Sequence, residues 1–315
     1  MNIEAGGDGP AVWVVIVLYN SYSDTAACLN SLQGVTYPNL RVVLVDNGST
    51  DGSGRRLQQE FPEVAHLRNE VNLGFAGGCN AGIRAALDHG ADYICLLNND
   101  TLVEPGFIEP LIGRAEATPE AGIFGGKIFY ADPPDLIWFA GGTIDRRRGF
   151  TGHRGQDLTD APAFNKAGPV DYITGCLFFV RAGLFPGLGF LDERFFMYAE
   201  EVDFCLRARR AGFISFYEPA AVIYHRISRT MGGAYRPLYY YYQIRNLLEA
   251  YRKYLGCGRL STPMLKLSWH LAVCQGYRIL RARRTGAGPY LLSLAAGWLD
   301  FVRGRFGPNP HKWLA

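Results

Sequence analysis

Apolar residues in the first third of the chain fall in short unbroken runs instead of alternating with polar ones. The runs VWVVIVL (12–18), RVVLV (41–45), VAHL (64–67) and YICLL (93–97) are rich in Val and Leu. Strands covered on both faces have that pattern. Between them, 24–32, 54–60 and 78–89 carry helical spacing or a capping residue at their start, which makes a βαβ succession and therefore a parallel sheet. Ligands of such sheets sit beyond the carboxyl ends of the strands. Each run is followed there by polar residues: Tyr19-Asn20, Asp46-Asn47-Gly48, Arg68-Asn69 and Asn98-Asn99-Asp100. From 121 to 235, Gly125-Gly126, Pro133-Pro134 and Gly141-Gly142 break up the apolar runs, so mixed strands and loops are expected to complete the sheet before a helix over about 198–211. From 236 onward the pattern is helical, with breaks at 256–258, Pro263 and 286–288.

Composition narrows the class. With 48% hydrophobic, 13% aromatic and 19% charged residues, the 315-residue chain is no disordered protein, and its 38 glycines follow no triplet period. The formal charge of +3 averages two unlike segments: residues 226–315 hold 15 Lys and Arg against Glu249 and Asp300 alone, while the first 225 hold 17 basic and 27 acidic residues. Seven cysteines, at 28, 79, 95, 176, 205, 257 and 274, never form a C-x-x-C pair. That spacing predicts reduced thiols, a cytoplasmic setting and no zinc site. The opening MNIEAGGDGP lacks the basic and apolar regions of a signal peptide, and the first strand is too short to span a bilayer.

Five segments carry candidate chemistry. In VDNGSTDGS (45–53), Asp46 can accept the imide N–H of uracil or thymine while Asn47, Gly48 and Ser49 turn the chain near a ribose; an Asx turn capping the next helix explains Asp46 equally well. NEVNLGFAGGCNAG (69–82) places glycines before a helix expected to begin near Gly78, whose free N–H groups would suit a diphosphate. Neither the dinucleotide glycine fingerprint nor a Walker lysine is present. LLNNDT (96–101) ends a strand in Asn98, Asn99 and Asp100, where Asp100 can hold a hard divalent cation if a second protein ligand exists; otherwise it is a turn residue. His225, closing the run AAVIY, offers neutral imidazole as that ligand. In FLDERFFMYAEEVDFCLRARRAGF (190–213), Phe204, Ala208 and Ala211 make an apolar stripe and Asp203 pairs with Arg207 at i,i+4. Glu200 and Glu201 then stand in the first helical turn, either as a general base or as ordinary N-terminal helix charge.

Together, VVIVLYNSYSDTAACLNSL, VDNGSTDGS, NLGFAGGCNAG, LLNNDT, YITGCLFFVR, DERFFMYAEEVDFCLRARRAGF and YHRISRTMG resemble the family 2 inverting glycosyltransferases, and more narrowly their bacterial rhamnosyltransferase branch. The resemblance implies an α/β chain with the GT-A nucleotide-diphospho-sugar transferase fold, a mostly parallel sheet flanked by helices. Its catalytic domain would span 11–235, with a nucleotide half of about 11–101 and an acceptor half of about 102–235, followed by a basic helical extension over 236–315. It makes Asp46 the base-recognition carboxylate, with Leu18, Tyr19, Asn20, Asn72, Gly74, Asn98 and Asn99 around the nucleotide. Asp100 matches the last position of the family's D-x-D motif and His225 a metal-binding histidine, for Mg2+ or Mn2+; Asn98 stands where aspartate is usual. Glu201 matches the acceptor-activating base, a glutamate for the commoner aspartate, with Glu200 and Asp203 beside it. Thr174 and Gly175 match a loop along the donor sugar, and Arg245 an R-N pair at the pyrophosphate.

The implied reaction is a single displacement from a nucleotide sugar, dTDP-rhamnose in this branch, onto a glycan or polyprenyl-linked hydroxyl. A UDP-hexose or UDP-N-acetylhexosamine donor is the alternative, because Asp46 does not tell thymine from uracil. A sugar-1-phosphate nucleotidyltransferase would need a G-x-G-T-R-type loop where this chain reads LYNSYSDT, and a non-catalytic nucleotide- or membrane-binding module would not need Glu201 and Asp100. No nucleic-acid partner is expected. Arg278, Arg281, Arg283 and Arg284, beside the apolar run 290–298, make a basic amphipathic surface. Two readings compete for it: helices packed on the domain with solvated arginines, or a peripheral contact with an anionic inner leaflet.

Overall fold

The computed structural model describes residues 7–145, 150–227, 236–282 and 286–314. Arg283 and Arg284 of the basic cluster, and the stretch 228–235 that closes the expected catalytic domain, lie outside the described residues. Four parallel strands, β1 (Val12–Leu18), β2 (Leu40–Asn47), β3 (Ala65–Asn69) and β4 (Tyr93–Leu97), alternate with helices α1 (Tyr22–Leu32), α2 (Ser53–Glu60) and α3 (Gly74–Asp88). Then follow β5 (Thr101–Val103), α4 (Ile108–Ala117), β6 (Ala121–Tyr130), β7 (Ile137–Phe139), β8 (Gly142–Asp145), β9 (Phe150–His153), β10 (Gly168–Val170), β11 (Leu177–Arg181), α5 (Phe185–Leu188), α6 (Glu200–Arg210) and β12 (Ile214–His225). Three helices end the chain: α7 (Pro237–Leu255), α8 (Thr262–Ala282) and α9 (Gly288–Arg303).

One sheet takes the order β10-β12-β6-β11-β4-β1-β2-β3, with β5 on β12 and β7 on β6, while β8 and β9 form a separate hairpin. Strand β11 is antiparallel to both β4 and β6, and β12 is parallel to β6, so β1 to β4, β6 and β12 all point the same way. The uninterrupted apolar runs are explained by position. β1 lies between β2 and β4, and its Trp13 and Val14 are fully buried, as are Ile94 and Cys95 of β4. β12 extends well beyond the apolar run AAVIY at its end. A register shift between Glu218 and Val222, around Pro219, lets the strand continue past a residue that cannot donate to the ladder and carries it on to His225.

Helix α3 begins at Gly74, four residues before the expected start. Gly74 has φ +74°, a conformation open to glycine, and a Cβ there would lie 2.3 Å from the Phe196 carbonyl oxygen. The helix of 198–211 is α6, in which Phe204 and Ala208 are buried and Ala211, just past its end, is exposed. Helix α7 is no appendage. It buries Tyr241 to Leu248, Gln243 apart, and its Ile244, Leu247 and Leu248 join the same apolar core as β1 and β4.

α9 closes over α7 at Gly297, where an added Cβ would stand 2.3 Å from the Tyr241 carbonyl oxygen and 2.7 Å from Ile244. Gly297→Ala is therefore expected to lower stability by ~1–3 kcal/mol through overpacking. Gly276→Ala on α8, whose nearest neighbour would be Leu291 at 3.9 Å, should leave the melting temperature unchanged or raise it by helix propensity. Thermal unfolding of the two variants checks the contrast.

Candidate active site

Strand direction gathers the polar segments at one sheet edge. Leu18 stands beside Asp46, Asp46 beside Arg68, Asn47 beside Asn69, Leu97 beside Leu177, and Thr101 beside His225. The ends of β1 to β4 and β12, and the starts of β5 and β11, therefore meet along one line although their residues span more than two hundred positions of sequence.

On the β1 to β3 side, two loops clamp each other. The Asn20 N–H donates to Ser49 Oγ at 3.1 Å and Asn20 Oδ1 accepts from the Thr50 N–H at 2.9 Å, with Asn20 at φ +50°. Asp46 Oδ1 accepts from the Ser49 N–H at 2.8 Å, so one oxygen does serve a turn; Oδ2 accepts from Arg68 at 2.7 Å. Arg68 itself is largely exposed, so the pair sits at the mouth of the edge, and Tyr19, which follows Leu18, the strand neighbour of Asp46, is exposed as well. Leu18 buries its side chain in the core and can offer a ligand only its backbone.

Asn47 organises the next loop. Its amide donates to Asn72 Oδ1 at 3.1 Å and to the Gly74 carbonyl at 2.9 Å, and its Oδ1 accepts from Asn69 and from the Leu73 N–H. Asn72 Oδ1 takes the Gly74 N–H, and the Phe196 carbonyl takes the Ala76 N–H at 3.3 Å. These N–H groups at the start of α3 are thus bonded within the chain. The expected diphosphate cradle of free donors is not what this helix end presents, because neighbouring side chains and a distant carbonyl satisfy it. Asn99 is tied to Thr25 at 2.8 Å, and the Asn98 N–H donates to the Cys176 carbonyl.

At the β12 end, His225 Nε2 lies 3.1 Å from Asp100 Oδ1. The Arg226 N–H holds the Asp100 carbonyl at 2.7 Å, and Arg226 pairs with Asp24. Burial alone would raise the Asp100 carboxyl, but the His225 ring beside it, its hydrogen bonds and Arg226 outweigh that and hold it below its usual value. The two side chains fit a hard cation: adjacent ligands of an octahedral ion at ~2.1 Å stand about 3 Å apart. No cluster of three or more candidate ligands occurs among the described residues, so the protein would supply two positions and leave the others to phosphate oxygens and water.

An aromatic wall joins this pair to α6. Trp138 of β7 lies edge-on to His225 at 4.4 Å and to His153 of β9 at 4.6 Å, and His153 stands 6.2 Å from Tyr172. Burial lowers the His153 pKa to about 4, which keeps that ring uncharged at neutral pH. Burial first, and then the charge of Glu201, push the Tyr172 phenol well above its usual range, and Asp171 beside Tyr172 pairs with Arg209 of α6 at 3.0 Å. Thr174, buried, and Gly175, whose Cβ would stand 3.2 Å from Phe75, precede β11 at the same edge. Neither Trp138 nor His153 was singled out by sequence, since only the pairing of β7 with β6 and of β9 with β8 brings them here.

Glu200 and Glu201 open α6 after a strained loop. Phe196, Tyr198 and Ala199 all have φ between +66° and +68°, costly for residues with a Cβ. The loop is held from α7. Asn246 Nδ2 lies within hydrogen-bond reach of the carbonyls of Phe195, Met197 and Tyr198 at 2.8–2.9 Å, and Arg245 donates to Phe195 at 3.1 Å. Glu200 is buried, Glu201 half-buried, and one oxygen of each has no hydrogen-bond partner in the protein. Burial pushes Glu201 up to about 7, and burial with the Glu201 charge raises Glu200 well above the usual carboxylate range.

Two sequence expectations change here. Arg245 is fully buried, its guanidinium bonded to Tyr241, Asn246 and the carbonyls of Phe195 and Gly307, so it braces the α6 loop and does not reach a pyrophosphate. Asp203 is buried between Arg207 at 2.8 Å and Lys253 at 2.6 Å, a structural ion pair with no lone pair turned to a substrate.

One sheet edge thus gathers the paired Asp100 and His225, the Asp46 carboxylate and the glutamates that open α6. The chain belongs to glycosyl transferase family 2, whose model matches residues 13–185. It is 32% identical over 241 residues to the N-acetylglucosaminyl-diphospho-decaprenol L-rhamnosyltransferase of Mycobacterium tuberculosis, covering 70% of this chain and 77% of that one. It is 29% identical over 201 residues to a low-salt glycan biosynthesis hexosyltransferase of Haloferax volcanii, covering 62% and 61%. A mannosyltransferase of Pyrobaculum calidifontis, solved with GDP-Man and Mn2+, superposes with a TM-score of 0.58 at 16% identity over 94% of this chain and 86% of that chain. The fold is GT-A, and the protein is a glycosyltransferase.

The Asn246 contacts make a testable statement about α6. Asn246→Ala removes the donor shared by three loop carbonyls, and a displacement of about 1 Å at a reacting group costs on the order of 100-fold in rate. Steady-state kinetics are expected to show kcat down by about that factor with nucleotide affinity retained, since the loops that hold Asp46 are untouched.

Proposed function

We propose that this glycosyltransferase moves rhamnose from dTDP-rhamnose to a hydroxyl of a polyprenyl-diphosphate-linked N-acetylglucosamine, with inversion, at the cytoplasmic face of a membrane. The observation that carries the reading is the 32% identity to the mycobacterial rhamnosyltransferase, which covers 70% of this chain and 77% of that one. The geometry supports it: a half-buried carboxylate on α6, an aromatic wall and the Asp100–His225 pair lie in sequence along one sheet edge.

Glu201 takes the proton of the acceptor hydroxyl as that oxygen forms its bond to the anomeric carbon and the bond from that carbon to the diphosphate oxygen breaks. The raised Glu201 pKa suits it to hold that proton near neutral pH. Glu200 stands beside it in the same helical turn, and burial together with the neighbouring Glu201 charge raises its pKa as well. Asp46 accepts the imide N–H of the pyrimidine, with Arg68 positioned to share the carboxylate, and Tyr19 and Asn20 flank the base. Thr174 and Gly175 line the sugar. Asp100 and His225 would hold Mg2+ or Mn2+, which when bound neutralises charge on the departing diphosphate.

Three measurements test the reading. Glu201→Gln is expected to lower kcat by about a thousandfold while nucleotide binding survives; rates near wild type would remove Glu201 from this role. Because the base acts as the carboxylate, kcat/KM should fall about tenfold per pH unit below pH ~7 and level off above it, and a flat profile from pH 5 to 8 would contradict the assignment. In a donor panel, dTDP-rhamnose with Mn2+ should both raise the melting temperature and support transfer, with chelation abolishing transfer; preference for a UDP-hexose or UDP-N-acetylhexosamine would replace the donor.

A further inference from the structure

Helix α8 is apolar on two opposite faces. Its inner face buries Met264, Leu267, Leu271 and Ile279 in the common core. Its outer face exposes Leu265, Trp269, Val273, Tyr277 and Leu280, with Trp269 at 69% and Tyr277 at 63%. Those positions follow one another at intervals of four and three residues and so form a single stripe, about 22 Å long at 1.5 Å per residue. A contiguous apolar stripe of that size is seldom left to water. The sequence pattern had directed attention to 290–298 instead, but α9 turns Ser293, Leu294 and Gly297 inward against α7.

Charge identifies what covers the stripe. Lys266, His270, Arg278 and Arg281 are exposed along the same helix, Arg278 lying over the Phe150 ring, and α8 contains no acidic residue. From position 236 on, the acidic residues are Glu249 and Asp300, both buried and bonded to Arg252 and to Tyr241 and His311. Among the described residues from 236 on, basic side chains and no Asp or Glu side chain therefore face solvent. A second copy seated on this face by a two-fold axis would set Lys266, Arg278 and Arg281 against themselves. Acidic lipid headgroups meet both features at once, since Trp and Tyr favour the interface, aliphatic side chains enter the acyl boundary and basic ones stay among phosphates. Among the described residues no helix is long and apolar enough to cross a membrane, so the geometry is that of a helix lying in the surface plane.

We propose that the outer face of α8 docks the enzyme on an anionic bilayer. The proposal deepens the reading of a polyprenyl-linked acceptor, which resides in such a surface, but its test does not need that acceptor. Full-length protein is floated with phosphatidylcholine vesicles with and without phosphatidylglycerol. Binding is expected only to the acidic vesicles and is lost at high salt. Lys266→Gln with Arg281→Gln should weaken partitioning roughly twenty-five-fold, at about fivefold per basic residue, and Trp269→Ser with Tyr277→Ser should abolish it. All four residues are exposed, so the melting temperature and transfer to a water-soluble acceptor should be unchanged in both variants. Absence of flotation, or flotation indifferent to these substitutions, overturns the proposal. A concentration-dependent dimer that Trp269→Ser dissolves overturns it in favour of a second copy. Loss of soluble transfer in the unaltered protein would count against the catalytic reading and not against docking.

Discussion

The side chain of Asn246 is the contact on which the placement of the α6 glutamates depends. Three carbonyls of the loop ahead of α6 face one amide nitrogen, and three residues of that loop hold backbone angles that L side chains avoid. Such a conformation persists only where its surroundings over-determine it. Arg245 adds a further bond from the same helix, and the Ala76 N–H approaches the Phe196 carbonyl from the other side. The loop thus ties together α3, the helix that carries the paired glutamates and the first helix of the C-terminal segment.

Much of this was legible in the chain. The strands 12–18 and 93–97 are readable to the residue because both faces are covered, which leaves an apolar run with sharp ends. The polar ends of β1 to β4 are readable for the same reason, and strand direction then brings them together. The ion pair of Asp203 with Arg207 follows from helical spacing alone.

What was not legible depends on contacts distant in sequence. The start of α3 was set too late because Asn47 and the Phe196 carbonyl, remote in the chain, satisfy its first turn and Gly74 takes a left-handed angle. Arg245 looked like a ligand for phosphate because a guanidinium bonded to carbonyls and hydroxyls leaves no mark on its own segment. Trp138 and His153 reach His225 only through β7 and β9, whose short pairings carry weak periodicity. On α8 the sequence showed helical spacing and the arginines at 278 and 281, while the outer apolar stripe could be seen only once burial separated it from the inner face.

The position of Asn246 in the chain also bears on synthesis. Glu201 leaves the ribosome well before α7 does, and domains form in the order in which they are made. Until α7 has followed and folded back, the loop ahead of α6 lacks the amide that holds its strained angles, so a nascent chain can complete its nucleotide-binding strands without yet having a placed carboxylate. Maturation of the sheet edge and onset of turnover are in this way separated in time by the order of the residues alone.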